Sequence, residues 1–224
     1  VREYKRIIET GRILYEKDLV AGFDGNISIR NGKKIYITAS GVYKGNMRKE
    51  DISLIDMEGR VLRGKKPSSE YRLHLKAYRE RPDVNAVVHA HPVNTTALSI
   101  AGIPMIPCLT AEAYFILGNV PTAPFALPGD VSLAESIVPF VKKSDVIILE
   151  KHGCVTFGKD LFYCLDRMEK TEALARKIWL LRGAGMNIRE KVLSPLQRKN
   201  LEELRKKAGL PPVNCFCESE NCGL

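Results

Sequence analysis

Val84-Asn85-Ala86-Val87-Val88-His89-Ala90-His91 is an apolar run that ends in two histidines. Its length and β-branched content predict a buried strand over 84–91. In a strand, side chains at i and i+2 point to the same face, so the imidazoles of His89 and His91 converge. A second run, Val146-Ile147-Ile148-Leu149-Glu150-Lys151-His152-Gly153, predicts a strand over 146–151 and ends in a third histidine. The chain has only four histidines. A lone histidine where a strand meets a loop is usually an ordinary polar residue. An H-x-H pair plus a strand-end His-Gly instead suggests a divalent metal, and three nitrogens plus an open position suit a catalytic site better than a closed structural one.

The elements outward from these runs alternate. An amphipathic helix is expected over 2–20, then strands over 27–30 and 34–38 about the turn signal Asn31-Gly32. Strands follow at 52–56 and from 61, and a helix runs from Ser69 to Arg81, ended by Pro82. After the first histidine strand come a short helix over 94–101 and a Pro-rich stretch over 103–127, with short strands near Ile106 and Ala123. A helix over 131–142 leads into the second run. A strand over 154–157, a long helix over 161–183 and a helix from Ser194-Pro195 to about Lys207 complete the pattern. Tight turns between the early strands make much of the sheet antiparallel, and the later helices cover both faces. The expectation is one α/β domain over 1–210, followed by a Cys-containing tail over 211–224.

The chain has 224 residues, with 45% hydrophobic and 27% charged, an ordinary soluble composition. No apolar stretch approaches the roughly 20 residues that span a bilayer, and the N-terminus has no signal-like apolar core. A cytoplasmic protein with no membrane partner is expected. The net charge of +9 fits an anionic small substrate or a surface rich in Lys, Arg and Glu. It is a weak case for nucleic acid, because the basic residues are dispersed and no recognition motif is present. Cys108, Cys154 and Cys164 lie in apolar contexts typical of buried thiols. Cys215, Cys217 and Cys222 form C-x-C-x4-C, which lacks the fourth ligand of a zinc module and reads equally as a redox-labile tail.

Three further segments carry candidate chemistry. Gly25-Asn26, Ser40-Gly41 and Ser68-Ser69-Glu70 lie at junctions where backbone N–H groups approach an anion closely. Each alone reads as turn or capping chemistry; together, beside a metal site, they suggest a phosphate cradle. Glu70, at the start of its helix, has two available roles, fourth ligand or general acid/base. His74, one turn later, suits a core or supporting position better than a ligand position.

Gly25-Asn26-Ile27-Ser28, Thr38-Ala39-Ser40-Gly41, Pro67-Ser68-Ser69-Glu70, Val87-Val88-His89-Ala90-His91 and Lys151-His152-Gly153 together resemble the class II aldolase/adducin family, from about residue 5 to 185. Within it the chain is most similar to the fuculose-1-phosphate aldolases. The resemblance implies a three-layer α/β/α fold with a central mixed, mainly antiparallel sheet, and a homotetramer with active sites between subunits. It implies that His89, His91, His152 and Glu70 hold Zn2+ or another divalent metal, and that Glu70 also serves as acid/base. It matches Asn26, Ser40, Gly41, Ser68 and Ser69 to phosphate-binding positions. The implied reaction cleaves a ketose 1-phosphate, by default L-fuculose 1-phosphate, to dihydroxyacetone phosphate and an aldehyde.

The chain departs from the fuculose enzymes where they carry tyrosines. Cys108 aligns with one, although Tyr114 is close by, and the tail has Phe216 but no tyrosine. Glu112 is an extra carboxylate in the same loop, in a place where related thioribulose-phosphate dehydratases use a glutamate; otherwise it is an exposed loop charge. Aldolases acting on 5-deoxyribulose or methylthioribulose 1-phosphate, and a methylthioribulose-1-phosphate dehydratase, are therefore the alternatives. Glu70 argues against the dehydratase, which lacks a carboxylate there, and against the 4-epimerases, which usually have Asp. The three histidines argue against a non-catalytic adducin-like module.

Overall fold

The computed structural model describes residues 2–213. Eight strands form one sheet in the order β4-β3-β2-β1-β5-β8-β7-β6. They are β1 Asn26–Asn31, β2 Lys34–Thr38, β3 Ile52–Asp56, β4 Val61–Arg63, β5 Ala86–Ala90, β6 Thr122–Ala123, β7 Val146–Leu149 and β8 Gly153–Gly158. Every neighbouring pair is antiparallel except β6 and β7. The expected α/β/α architecture with a mixed, mostly antiparallel sheet is therefore present.

Alternation along the strands sorts the core into two layers. Ile27, Ile29, Ala86, Val88, Ala90, Val146, Ile148 and Cys154 pack against one set of helices. That set is α1 Arg2–Glu16, α3 Val93–Ile100, α4 Ala111–Leu117 and α7 Leu161–Gly183. On the opposite face, Ile35, Ile37, Ile55, Val87, Ile147, Leu149, Val155 and Phe157 pack against α2 Tyr71–Glu80, α5 Val131–Ser136 and α6 Val138–Val141. The period of 2 puts His89 on the face of Val87, beneath α2. A last helix, α8 Pro195–Lys207, starts at a Ser194 capping box. Its buried Arg205 donates to the carbonyls of Tyr114, Phe115 and Pro211.

Several boundaries differ from expectation. The opening helix stops at Glu16, not residue 20; Asp18 takes φ 55° and the Leu19 N–H turns back to Leu14. Leu19 and Val20 keep the apolar spacing and are buried, but the turn frees the Leu19 carbonyl to accept the His91 N–H at 3.0 Å. The helix expected over 131–142 is split in two, with Pro139 in the first turn of the second piece; proline has no N–H to continue the first. The helix expected from Ser69 begins at Tyr71. No strand forms at Ile106. Instead Pro107–Leu109 makes a 3₁₀ turn and α4 follows, capped by the Thr110 side chain on Ala113 N–H. The strand near Ala123 is β6. Cys108, Cys154 and Cys164 are buried as expected, while Cys215, Cys217 and Cys222 lie outside the described residues. Among those residues no helix is long and apolar enough to cross a membrane.

Candidate metal centre

The site is built where β5, β8 and the start of α2 meet. His89 is paired across the sheet with Asn26 on one side and Val155 on the other. His91 follows the end of β5, and His152 sits in the turn before β8, reached through Lys151 at φ 55°. A left-handed non-glycine residue costs roughly 1–2 kcal/mol, and here it sits directly before His152. The three rings gather with centroids 4.8, 4.9 and 4.9 Å apart. One ligand-type atom from each lies within 4.8 Å of the others.

Glu70 completes the set. It is the N-cap residue of α2, one position before the first turn, and its side chain makes no cap. Its Oε2 lies 3.2 Å from His89 Nε2 and its Oε1 3.3 Å from His152 Nε2, while His91 Nε2 lies 3.0 Å from His89 Nε2. Tetrahedral zinc bonds of about 2.0–2.1 Å put neighbouring ligand atoms roughly 3.3 Å apart. Three nitrogens and a carboxylate at these separations suit a divalent cation.

The outer nitrogens strengthen that fit. His89 Nδ1 lies 3.0 Å from the Cys154 carbonyl, which only accepts, so Nδ1 carries the proton and Nε2 presents its lone pair to the cluster. Asp24 stands 3.4 Å from His91 Nδ1 and turns that ring the same way. Burial, with the neighbouring imidazoles, pushes His89 well below the usual histidine range and His91 down to about 3. His89 and His91 are therefore neutral near pH 7, as metal ligands must be. His152 Nδ1 is buried with no hydrogen-bond partner among the described residues.

Glycine is required at two points. A Cβ on Gly25, at φ 72°, would lie 2.6 Å from the His89 carbonyl. One on Gly153 would lie 2.5 Å from the Ala90 carbonyl and 2.8 Å from His91 Cδ2. Both residues let backbone pack directly against the histidine strand.

An Ala39–Pro67 bridge brings the Ser40-Gly41 and Ser68-Ser69 segments together. The Ser40 N–H donates to Lys66 O and the Ser68 N–H to Thr38 O, so those two amides are committed internally. The Ser68 hydroxyl accepts the Glu70 N–H at 3.3 Å, whereas Ser40, Gly41 and Ser69 are exposed. Asn26 is buried and donates from Nδ2 to Glu70 Oε2 at 2.8 Å. His74 is fully buried, in the supporting position its spacing suggested, and bonds Asn26. Glu112 is exposed in the first turn of α4; Tyr114 is buried in the seam with α8, its hydroxyl 3.3 Å from Glu202.

Sequence reasoning missed Asp24 and Lys44. Asp24 lies in the Gly22-Phe23-Asp24-Gly25 loop, where nothing in the local pattern marks its carboxylate. Lys44 is 2% exposed, and its ammonium donates to Val42 O at 2.6 Å and Phe23 O at 3.1 Å, which ties down the loop that carries Asp24.

A family model, the class II aldolase and adducin N-terminal domain, matches residues 5–179. An L-fuculose phosphate aldolase of Methanocaldococcus jannaschii is 38% identical over 172 residues, which is 77% of this chain and 93% of that one. A 3-oxo-tetronate 4-phosphate decarboxylase of Haemophilus influenzae is 30% identical over 205 residues, 89% of this chain and 96% of that one. Among solved structures, an L-fuculose 1-phosphate aldolase superposes with a TM-score of 0.83 at 27% identity, covering 92% of this chain and 96% of the other. The L-fuculose-1-phosphate aldolase of Thermus thermophilus gives 0.72, also at 27% identity, with 81% and 95% covered.

Proposed function

The chain belongs to the class II aldolase and adducin family, and from that premise we propose that it is a zinc-dependent lyase. Its lead substrate is L-fuculose 1-phosphate, split reversibly into dihydroxyacetone phosphate and an aldehyde. The observation that carries this reading is the Glu70 carboxylate lodged 3.2 and 3.3 Å from two of three converging imidazoles. His89, His91 and His152 would hold a divalent cation, which would supply Lewis acidity toward a substrate carbonyl. Glu70 adjoins the same position and is 7% exposed. A carboxylate held there, shielded from water, is suited to give and take the proton at the substrate carbon.

The exposed Ser40, Gly41 and Ser69, with Ser68, Gly25 and Asn26 behind them, are the proposed phosphate cradle. Fixing the phosphate there orients the bond to be broken. Of the two candidates for the aldehyde-side proton, Glu112 is favoured, because the Tyr114 hydroxyl is already engaged by Glu202. The assembly is proposed to be a homotetramer with sites between subunits. Val93, Phe125 and Leu127, exposed by 66%, 59% and 63%, are large apolar side chains suited to a subunit contact.

The test is release of dihydroxyacetone phosphate from L-fuculose 1-phosphate and from 5-deoxyribulose and methylthioribulose 1-phosphates, with zinc, cobalt or manganese restored. Metal-dependent release supports the reading, and the fastest substrate names the aldehyde. Glu70→Gln should keep the ion and lose about 10²–10⁴-fold in kcat. Carbon dioxide and dihydroxyacetone phosphate released from 3-oxo-tetronate 4-phosphate, with none of the ketose 1-phosphates cleaved, would move the assignment to the decarboxylase represented among the relatives. Loss of water alone would move it to a dehydratase.

A further inference from the structure

A buried polar stripe runs from Glu70 away from the histidines, through Asn26 to three residues that no proposed step uses. Asn26 and Ser28 share a face of β1, two residues apart. Glu70, His74 and Tyr78 follow one turn apart from the N-cap of α2 to its last turn. Asn26 is 4% exposed, Tyr78 1%, and Ser28 and His74 not at all. They join in one chain. Asn26 Nδ2 is 2.8 Å from Glu70 Oε2, and Asn26 Oδ1 is 2.5 Å from His74 Nε2. His74 Nδ1 is 2.6 Å from Ser28 Oγ, which is 2.6 Å from Tyr78 Oη.

The donor and acceptor inventory allows one arrangement when Glu70 is ionised. A carboxylate only accepts, so the Asn26 amide nitrogen faces it, and its oxygen faces His74. A carbonyl oxygen also only accepts, so His74 Nε2 carries a proton. Burial pushes His74 down to about 4, so the ring is neutral and Nδ1 is bare. Ser28 then donates to Nδ1 and accepts from Tyr78, whose hydroxyl burial keeps protonated. Reversing the order requires a proton on Glu70 and a flipped Asn26.

We propose that His74 is a positioning residue: fixed as the Nε2–H tautomer by Ser28 and Tyr78, it holds the Asn26 amide so that Nδ2–H pins Glu70 Oε2 beside His89. This deepens the reading of Glu70 as ligand and proton carrier, and rests on it. It also gives Asn26 a task besides the phosphate, since one of its two amide hydrogens and its oxygen are already spent.

Two measurements test it without turnover. In protein labelled with ¹⁵N-histidine, which gives only four residues to assign, His74 should be neutral at pH 7, protonated at Nε2 and bare at Nδ1. A doubly protonated ring or the Nδ1–H tautomer overturns the proposal. In cobalt(II) titrations read by visible absorption, folded His74→Phe should bind roughly 10–100-fold more weakly. His74→Gln, whose amide can still donate to Asn26 and accept from Ser28, should recover most of that loss. Wild-type cobalt affinity in folded His74→Phe overturns the proposal whatever the turnover; if that variant does not fold, the tautomer measured in the wild type decides. With an active lyase, His74→Phe should lower kcat with little change in KM, again with rescue by Gln. If the wild type has no lyase activity but the tautomer and cobalt results hold, the functional reading falls and the positioning role stands.

Discussion

Gly153→Ala should damage the metal centre from the strand behind it. A Cβ at this position would sit 2.5 Å from the Ala90 carbonyl oxygen, 2.8 Å from His91 Cδ2 and 3.3 Å from His89 Cε1. Ordinary contacts need about 3.5 Å, so β5 and β8 must part by roughly 1 Å at the residue between the two histidines. Overpacking of this kind costs about 1–3 kcal/mol, several degrees in Tm for a chain of this size. The same shift moves His89 and His91 relative to His152 and Glu70, and metal affinity should fall by about 10–100-fold or more. Gly158→Ala is the control, at the other end of the same strand. The three atoms nearest its Cβ would all belong to the Tyr163 ring. It should lose stability and keep cobalt affinity. The assay is thermal unfolding of the metal-free chains beside cobalt titration of each. Wild-type affinity in Gly153→Ala, or an equal loss in Gly158→Ala, would refute the reasoning.

Two further predictions concern the frame of the site. Burial holds Lys44 down at about 8, partly offset by Asp24, below its unfolded value of about 10.4. Between those values the unfolded state binds more protons, so stability rises with pH. From pH 7.5 to 10.5 the wild type should gain about 3 kcal/mol relative to Lys44→Met in urea unfolding; a constant difference would contradict this. Arg205→Met strips donors from the buried carbonyls around α4 and Pro211. It should cost about 2–4 kcal/mol by chemical denaturation while leaving metal affinity unchanged, and a loss below about 1 kcal/mol would show that α8 is not anchored there.

Much of the site was legible because its logic is local. The alternation in Val87-Val88-His89-Ala90-His91 sets one face for both imidazoles, and the apolar run before His152 delivers the third. Ser68-Ser69-Glu70 announced a helix start, although the helix begins one residue after Glu70 rather than around it. What was illegible depends on register between distant segments. Asp24 meets His91, and Asn26 meets both Glu70 and His74, only because β1 pairs with β5 and α2 lies across them. The helix α4 was hidden by Pro104 and Pro107, which suggested an irregular stretch. The end of the first helix was hidden by Leu19 and Val20, which keep its apolar period while their backbone turns toward His91. His74 was readable as a supporting residue from its i+4 spacing to Glu70, but not its partner.

Three imidazoles jointly holding one divalent cation is what everything else in the proposed chemistry depends on. Zinc content after reconstitution, with X-ray absorption at the zinc edge, tests it most directly. One ion per chain is expected, with three nitrogen-type neighbours at about 2.0–2.1 Å and oxygen completing the shell. A chain that takes up no ion, or an ion with sulfur neighbours at about 2.3 Å, which would move it to Cys215, Cys217 and Cys222, would contradict it.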